Sequence, residues 1–200
     1  GGEAGDCQLI VVNSILNLPN TITAVRFFLA ALLAVMLMLE QTMWFAFWSW
    51  LVFTVAACSD WVDGYFARRY KSETVLGRLM DPLADKVLVS TALIMLIPLG
   101  RLPAWVALLI LCREMIVTGL RGIAASTGIV VAASGMGKIK SIIQYIGLGA
   151  LIFPLDLLPL PFLHRLGLMI VYVSLVVAIW SGVDYFLKLK DLFLSPPASR

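Results

Sequence analysis

The sequence is poor in charge, in histidine and in cysteine motifs. Only 14% of its 200 residues are charged and 61% are hydrophobic, whereas soluble domains carry about 25% charged residues. This composition excludes an ordinary soluble domain and predicts a single-domain integral membrane protein. The sequence has one histidine, His164, so it cannot form a histidine-rich metal site. The absence of paired HxK motifs also disfavours covalent transfer through such motifs. The three cysteines form no CxxC pair, so we interpret them as packing residues.

Long apolar runs separated by short polar loops fill most of the chain. At about 20 residues per span, they leave room for six membrane-spanning helices. The predicted fold is an all-α membrane protein of six transmembrane helices, preceded by a short interfacial helix that ends at Pro19. The predicted domains are an interfacial segment (1–20), a transmembrane domain (21–190) and a C-terminal tail (191–200). The predicted spans are Thr21–Leu39, Met43–Ala67, Gly77–Ile97, Pro103–Ala125, Ile139–Leu155 and Phe162–Leu187.

Lysine and arginine are unevenly distributed between the two ends of these spans. Of 15 such residues, only Arg101 and Arg165 fall on the side reached after the first, third and fifth spans. The positive-inside rule therefore makes the opposite side cytoplasmic. The first residues, GGEAGDCQ, lack the basic and apolar regions of a cleavable signal peptide, so none is expected.

Four aspartates, Asp60, Asp63, Asp81 and Asp85, lie in one segment between two apolar runs. An ionised aspartate at the centre of a membrane helix costs about 2.5–3.5 kcal/mol, so their grouping requires a cation or a function that offsets it. On helices, Asp60 and Asp63 share one face of the second span, and Asp81 and Asp85 share one face of the third. Because the connecting loop is short, the two spans should form a hairpin that brings all four carboxylates together near the cytoplasmic boundary.

Carboxylate oxygens with no nearby histidine or cysteine favour a hard divalent cation, so we predict Mg²⁺ or Mn²⁺ and room for two ions. Gly64, Ala67 and Gly77 leave space on the same faces for a ligand. Arg68 adds a phosphate-binding guanidinium at the mouth. Together these residues favour a diphosphate substrate at the cytoplasmic boundary.

The four aspartates admit two other interpretations. Helix-end charges at an interface would explain any one of them, but they would not need to share a face with glycines. A cation-coupled transporter also clusters carboxylates within the membrane. Transporter sites favour broken helices near the midplane, whereas these aspartates lie at one end of apparently continuous spans.

The fixed positions from Asp60 to Asp85 read D-x2-D-G-x2-A-R-x8-G-x3-D-x3-D, which resembles the signature of the CDP-alcohol phosphotransferase family. The segments NLPNTITAVRF, REMIVTGLR and GMGKIKSIIQ are similar to its phosphatidylglycerophosphate synthase subfamily. The resemblance implies transfer of a phosphatidyl group from CDP-diacylglycerol to sn-glycerol 3-phosphate, with release of CMP. It also implies a homodimer. We expect a bacterial cytoplasmic membrane, or an organellar inner membrane, with the active site facing the cytoplasm, and no nucleic-acid partner.

The resemblance also assigns roles to residues. Asp60, Asp63 and Asp81 would ligate the metals with Asp85 near them, and Asp85, the last carboxylate, is the predicted general base. CDP-diacylglycerol would be bound by Gly64, Ala67, Arg68 and Gly77, together with Asn20, Thr23 and Arg26 near the start of the first span.

The acceptor carries its own phosphate, so a basic pocket is expected from Arg113, Arg121, Lys138 and Lys140. Positive-inside topology alone would also explain the two lysines. Arg113 lies about two turns deeper than Arg121, so it should point into the cavity or pair with another span, with Glu114 on a different face. The acceptor stays open, since serine, inositol phosphate or phosphatidylglycerol could react on the same hairpin.

Overall fold

The computed structural model describes residues 18–40, 42–70, 86–126, 135–154 and 162–194, with side chains described for 24–40, 42–59, 86–124, 139–154 and 162–188. Within these residues the regular secondary structure is entirely helical, which confirms the predicted all-α class. The helices are α1 (Leu18–Met38), α2 (Met43–Tyr70), α3 (described over Lys86–Met95), α4 (Ala104–Ser126), α5 (Gly135–Ile152) and α6 (Phe162–Leu194). α1 to α3 belong to one compact unit, and α4, α5 up to Leu151, and α6 belong to a second.

In the first unit, α1 and α2 pack against each other. Each helix buries a stripe of small and apolar side chains at spacings of three, four or seven residues, which is the pattern of an amphipathic helical face. The stripes consist of Ala30, Leu33 and Leu37 on α1, and of Ala46, Phe53 and Ala56 on α2.

The turn between α1 and α2 is held by hydrogen bonds at both helix ends. Leu39 N donates to Val35 O at 3.3 Å and closes α1. Thr42 precedes α2, and its Oγ1 accepts a hydrogen bond from Phe45 N at 3.5 Å, as an N-cap residue does. Inside α2, the buried Ser49 hydroxyl donates to Phe45 O at 2.7 Å, so its polarity is satisfied within the helix.

In the second unit, α4 and α6 pack against each other. Their buried side chains include Ile110 and Val117 on α4, and Val171 and Ala178 on α6. α5 approaches α6 closely at two glycines, Gly147 of α5 and Gly167 of α6. The last turn of α5 is capped by Arg101, whose Nη1 donates to Leu151 O at 3.0 Å.

One described helix is long and apolar enough to cross a membrane, the 27-residue stretch Phe162–Lys188 of α6. At 1.5 Å per residue it extends about 40 Å, more than the hydrocarbon core of about 30 Å. The other apolar stretches of the described residues are shorter: Ala24–Met38, Met43–Ser59, Lys86–Met95 and Ile139–Ile152. Large apolar side chains such as Phe28, Met115 and Trp180 are exposed on several helices, as lipid contact requires. These features indicate a membrane protein, and the count of six spans stays a prediction.

Several helix boundaries differ from those predicted, most clearly at the start of α1 and the end of α6. α1 begins at Leu18, so Pro19, the predicted end of the interfacial helix, lies in its first turn, while residues 1–17 lie outside the described part of the structure. Proline is tolerated there because the first N–H groups of a helix have no intrahelical partner. α6 continues to Leu194, past the predicted end of the sixth span at Leu187.

Candidate active site

The first half of the aspartate signature lies on one continuous helix. α2 runs without interruption from Met43 to Tyr70 and so includes Asp60, Asp63, Gly64, Ala67 and Arg68. Helical periodicity places positions 60, 63, 64 and 67 on one face of α2. The first of the two helices on which the predicted grouping of the aspartates depends is therefore present. The side chains of these five residues lie outside the described part of the structure.

The second half of the signature, Gly77, Asp81 and Asp85, lies outside the described residues. The predicted convergence of the four carboxylates therefore stays a prediction. Elsewhere, the described side chains contain no group of three His, Cys, Asp or Glu residues that could hold a metal ion. The aspartate signature supplies carboxylate oxygens, the donors that a hard divalent cation prefers.

The described side chains bring together a second polar group, which we term the Glu114 cluster and define as Arg113, Glu114, Lys140 and Ser181. It joins α4, α5 and α6. Arg113 Nη1 donates to Glu114 Oε1 at 2.9 Å, and Lys140 Nζ donates to the same oxygen. Arg113 Nη2 donates to Ser181 Oγ at 2.9 Å. Two of the four predicted acceptor-phosphate residues, Arg113 and Lys140, are thereby placed on one carboxylate.

Arg113 reaches another helix, as the sequence predicted. Its Nε donates to Ala178 O on α6 at 2.8 Å, beside the bond to Ser181. Gly182 lies beside this side chain, and a Cβ added there would contact Arg113 Cγ and Nε at 3.6 Å, an ordinary van der Waals distance. Glu114 also contacts Arg113 directly, although adjacent residues lie on different faces of a helix. A helical wheel locates Cβ atoms, and the long arginine side chain bends back to reach the carboxylate of its neighbour.

Lys140 is deeply buried, with 5% of its side chain exposed, while 22% of the Glu114 side chain is exposed. Buried charges are stable when they are paired and hydrogen-bonded, and Glu114 supplies that pairing. Lys138 lies in α5, and its side chain is outside the described residues. Positive-inside topology explains a surface lysine, but it does not explain a buried lysine held by a carboxylate.

Arg121 lies two turns along α4 from Arg113 and is exposed. Its Cζ is 5.8 Å from the centroid of the Tyr185 ring on α6, a cation–π distance. Tyr185 is buried against Val117 and Ala124. The buried Tyr185 ring therefore helps to hold the exposed guanidinium of Arg121 in one position.

Two further buried polar groups were missed by the sequence argument. Gln144 Nε2 and Tyr185 OH have no hydrogen-bond partner among the described residues, although the two residues are only 3% and 7% exposed. The signal in the sequence was helical spacing, because Gln144 follows Lys140 by four residues and Tyr185 follows Ser181 by four. Both therefore continue the faces that carry the Glu114 cluster.

Of the residues predicted near the nucleotide lipid on the first span, Arg26 is described to its side chain. It is 3% exposed and lies on the buried stripe of α1, four residues before Ala30. Asn20 and Thr23 lie in α1, with side chains outside the described residues. A buried arginine within an apolar stripe requires a polar partner or a function, as expected for a pocket wall.

Comparison with known proteins bears directly on the family. The family model for CDP-alcohol phosphatidyltransferase matches residues 16–180. The chain is 43% identical over 141 residues to CDP-diacylglycerol--glycerol-3-phosphate 3-phosphatidyltransferase of Bacillus subtilis (strain 168), which covers 69% of this chain and 71% of the relative. It is 37% identical over 145 residues to a probable phosphatidylglycerophosphate synthase of Mycobacterium tuberculosis (strain ATCC 25618 / H37Rv), covering 72% and 67%.

A third relative matches over a longer range. CDP-diacylglycerol--glycerol-3-phosphate 3-phosphatidyltransferase of Rickettsia typhi is 32% identical over 177 residues, which cover 88% of this chain and 99% of the relative. The family match includes α1, α2, α4, α5 and much of α6, and so contains the signature helix and three residues of the Glu114 cluster, Arg113, Glu114 and Lys140. The family predicted from the aspartate signature is confirmed, and the chain belongs to the CDP-alcohol phosphatidyltransferase family.

Proposed function

We propose that this protein transfers the phosphatidyl group of CDP-diacylglycerol to sn-glycerol 3-phosphate, giving phosphatidylglycerophosphate and CMP. The observation that carries the proposal is the family match across the complete signature, together with relatives named for this reaction at 43% and 32% identity. The buried cationic cluster of α4 and α5 supports an acceptor that itself bears a phosphate, since guanidinium and ammonium groups bind phosphate strongly.

The reaction is a substitution at the lipid-bearing phosphorus. The primary hydroxyl oxygen of the acceptor forms a new P–O bond, and the bond from that phosphorus to the bridging oxygen of the diphosphate breaks. CMP leaves with the electron pair. The alcohol proton passes to a carboxylate oxygen of Asp85, the general base in this proposal. No covalent enzyme intermediate is needed.

The family generally depends on a divalent metal. In the proposal, Asp60, Asp63, Asp81 and Asp85 hold Mg²⁺ or Mn²⁺, with space for two ions. When bound, the metal neutralises the diphosphate and stabilises the charge on the departing phosphate. Without a bound cation, the four carboxylates would repel the negatively charged diphosphate. Chelation of the metal should therefore abolish turnover.

Roles of the remaining residues follow from the same scheme. Residues with little or no side chain allow the nucleotide diphosphate to approach the helix backbone, and arginines contact its phosphates. The donor lipid is assigned to Gly64, Ala67, Arg68 and Gly77, with Asn20, Thr23 and Arg26. The phosphate of the acceptor is assigned to Arg113, Arg121, Lys138 and Lys140.

The reaction also sets where the protein works. The acyl chains of the donor stay in the bilayer, while its cytidine diphosphate and the soluble acceptor meet at the membrane surface. The excess of lysine and arginine at one end of the apolar runs supports a cytoplasmic active site, in a bacterial cytoplasmic membrane. A homodimer is proposed from the family resemblance.

The test is CMP release by the purified protein in lipid-containing micelles. CMP should form with CDP-diacylglycerol and sn-glycerol 3-phosphate, stop on addition of EDTA and return with excess Mg²⁺ or Mn²⁺. Asp85→Asn should lower kcat by about 100-fold or more, the contribution of a general base. The matched control is Glu40→Gln, which removes an exposed carboxylate between α1 and α2.

Several results would contradict the proposal. CMP release that depends on serine, inositol phosphate or phosphatidylglycerol instead of sn-glycerol 3-phosphate would change the acceptor. Turnover that survives EDTA would show that the reaction needs no divalent metal. Normal turnover by Asp85→Asn would show that Asp85 is not the general base. Cation uptake into vesicles without CMP formation would identify a transporter.

A further inference from the structure

Glu114 lies where three helices of the second compact unit meet. It belongs to α4, and its Oε1 accepts hydrogen bonds from Arg113 Nη1 at 2.9 Å and from Lys140 Nζ on α5. Arg113 in turn donates to α6, through Ala178 O and Ser181 Oγ. One carboxylate oxygen therefore links two cations and, through them, the three helices.

The two cations are used in different ways. Arg113 donates three hydrogen bonds to protein acceptors, two of them on α6, so its guanidinium acts as a cross-link between helices. Lys140 carries a compact ammonium on a flexible stem of four carbons. A stem of this kind has no preferred direction of its own, and its bond to Glu114 supplies one.

The charges of the cluster do not cancel. Arg113 and Lys140 contribute two positive charges, and Glu114 contributes one negative charge, so these three residues together carry a net positive charge. An ammonium as buried as that of Lys140, with 5% of its side chain exposed, would be unfavourable without an anion. Glu114 therefore stabilises the buried ammonium of Lys140 but does not neutralise the cluster as a whole. A phosphate dianion is the class of ligand that this excess favours.

We propose that Glu114 is a positioning residue for the acceptor, which holds Lys140 through Oε1 so that the ammonium meets the acceptor's phosphate. Arg113 anchors Glu114 from the α6 side. The inference rests on the proposed function, because the phosphate is that of sn-glycerol 3-phosphate. Glu114 acts through Lys140, so its loss should affect acceptor binding and leave donor binding intact.

The test is Glu114→Gln, which keeps the size of the side chain and removes its charge. We expect KM for sn-glycerol 3-phosphate to rise about tenfold, equivalent to about 1.4 kcal/mol, with KM for CDP-diacylglycerol changed less than about twofold. A purely structural role would lower the amount of active enzyme and leave both KM values unchanged. An unchanged KM for the acceptor, with a lower kcat or without one, would overturn the proposal.

A double-mutant comparison tests whether Glu114 acts through Lys140. Residues that act as one unit are not additive, so in a Lys140→Ala background Glu114→Gln should raise the acceptor KM by less than about twofold more. Effects that multiply in full would show that Glu114 acts independently of Lys140, and would overturn the positioning role. Should Glu114→Gln not fold, Glu114→Asp carries the same test, because it keeps the charge and withdraws the oxygen by one methylene. It should also raise the acceptor KM selectively.

Asp184→Asn is the matched control. Asp184 Oδ2 accepts a hydrogen bond from Lys188 Nζ at 2.7 Å on the exposed surface of α6, so this variant also removes a carboxylate paired with a lysine. Both KM values should stay at wild-type levels. The two proposals fail differently: a wild-type protein without acceptor-dependent CMP release refutes the proposed reaction, whereas an active wild type with a normal acceptor KM in Glu114→Gln refutes only the role of Glu114.

Discussion

At the scale of single residues, Arg121 differs from Arg113 and Lys140 in being exposed, and its guanidinium is supported by an aromatic ring. Its guanidinium lies over the Tyr185 ring, with 5.8 Å from Cζ to the ring centroid. A cation–π contact at an exposed site contributes about 0.5–1 kcal/mol, too little to make Arg121 important for folding. The contact instead fixes where the guanidinium lies, which suits a residue that recruits a soluble anion.

We therefore expect Arg121→Ala to raise KM for sn-glycerol 3-phosphate by about tenfold, more than KM for CDP-diacylglycerol, with little change in the thermal unfolding midpoint. Initial rates with each substrate varied in turn give both values. Tyr185→Phe is the control, because it keeps the ring and removes a hydroxyl with no partner in the described structure. A larger effect on the donor KM would place Arg121 at the nucleotide lipid instead.

Arg113 and Glu114 show what residue spacing could and could not predict. The cost of an unpaired arginine within a span predicted that Arg113 would reach another helix, and it contacts Ala178 and Ser181. The identity of these partners depends on how α4 and α6 are rotated against each other, which spacing on one helix does not contain. The same limit hid the bond between Lys140 and Glu114, because these residues are far apart in the sequence.

At the scale of helices, α5 and α6 are held together by small residues. A Cβ added at Gly147 would lie 2.8 Å from Val171 Cγ2 and 3.1 Å from Val171 N. A Cβ added at Gly167 would lie 3.0 Å from Ala150 Cβ and 3.1 Å from Gly147 O. Small residues that let helix backbones approach are the usual basis of helix association in membranes, where the hydrophobic effect gives little drive.

Gly147→Ala should therefore destabilise the protein by about 1–3 kcal/mol, the usual cost of forcing an extra methyl group into a packed contact. Thermal unfolding in detergent measures the change. Gly122→Ala on α4 is the matched control, because nothing lies within 4 Å of its added Cβ. There the better helix propensity of alanine, by about 1 kcal/mol, should raise stability slightly. Equal losses in both variants would exclude close packing as the cause.

The helices themselves were largely predictable from the sequence, and their ends were less so. The predicted spans beginning at Met43 and Phe162 start at the same residues as α2 and α6, because an apolar run marks where a helix is buried. The run does not mark where the helix ends. α6 continues through polar and apolar residues to Leu194, since its hydrogen bonds do not require an apolar environment.

At the scale of the whole molecule, the distribution of charge and the length of α6 together predict how this helix crosses the membrane. Arg165 and Lys188 lie at opposite ends of the apolar stretch, about 35 Å apart along the helix, more than the hydrocarbon core of about 30 Å. The positive-inside rule predicts that Lys188 lies in the cytoplasm and Arg165 outside. The proposed reaction needs the same orientation, because a soluble phosphate acceptor must reach the Glu114 cluster from the cytoplasm.

Single cysteines at these two positions test the orientation. With Cys7, Cys58 and Cys112 replaced by alanine, Arg165→Cys should react with a membrane-impermeant maleimide on intact cells. Lys188→Cys should react only after permeabilisation, and both should react in detergent. Both side chains are exposed, so access is decided by the membrane and not by protein packing. Labelling of both from one side would show that α6 does not cross the bilayer, and reversed labelling would place the acceptor site on the outer surface, where the proposed reaction could not use cytoplasmic sn-glycerol 3-phosphate.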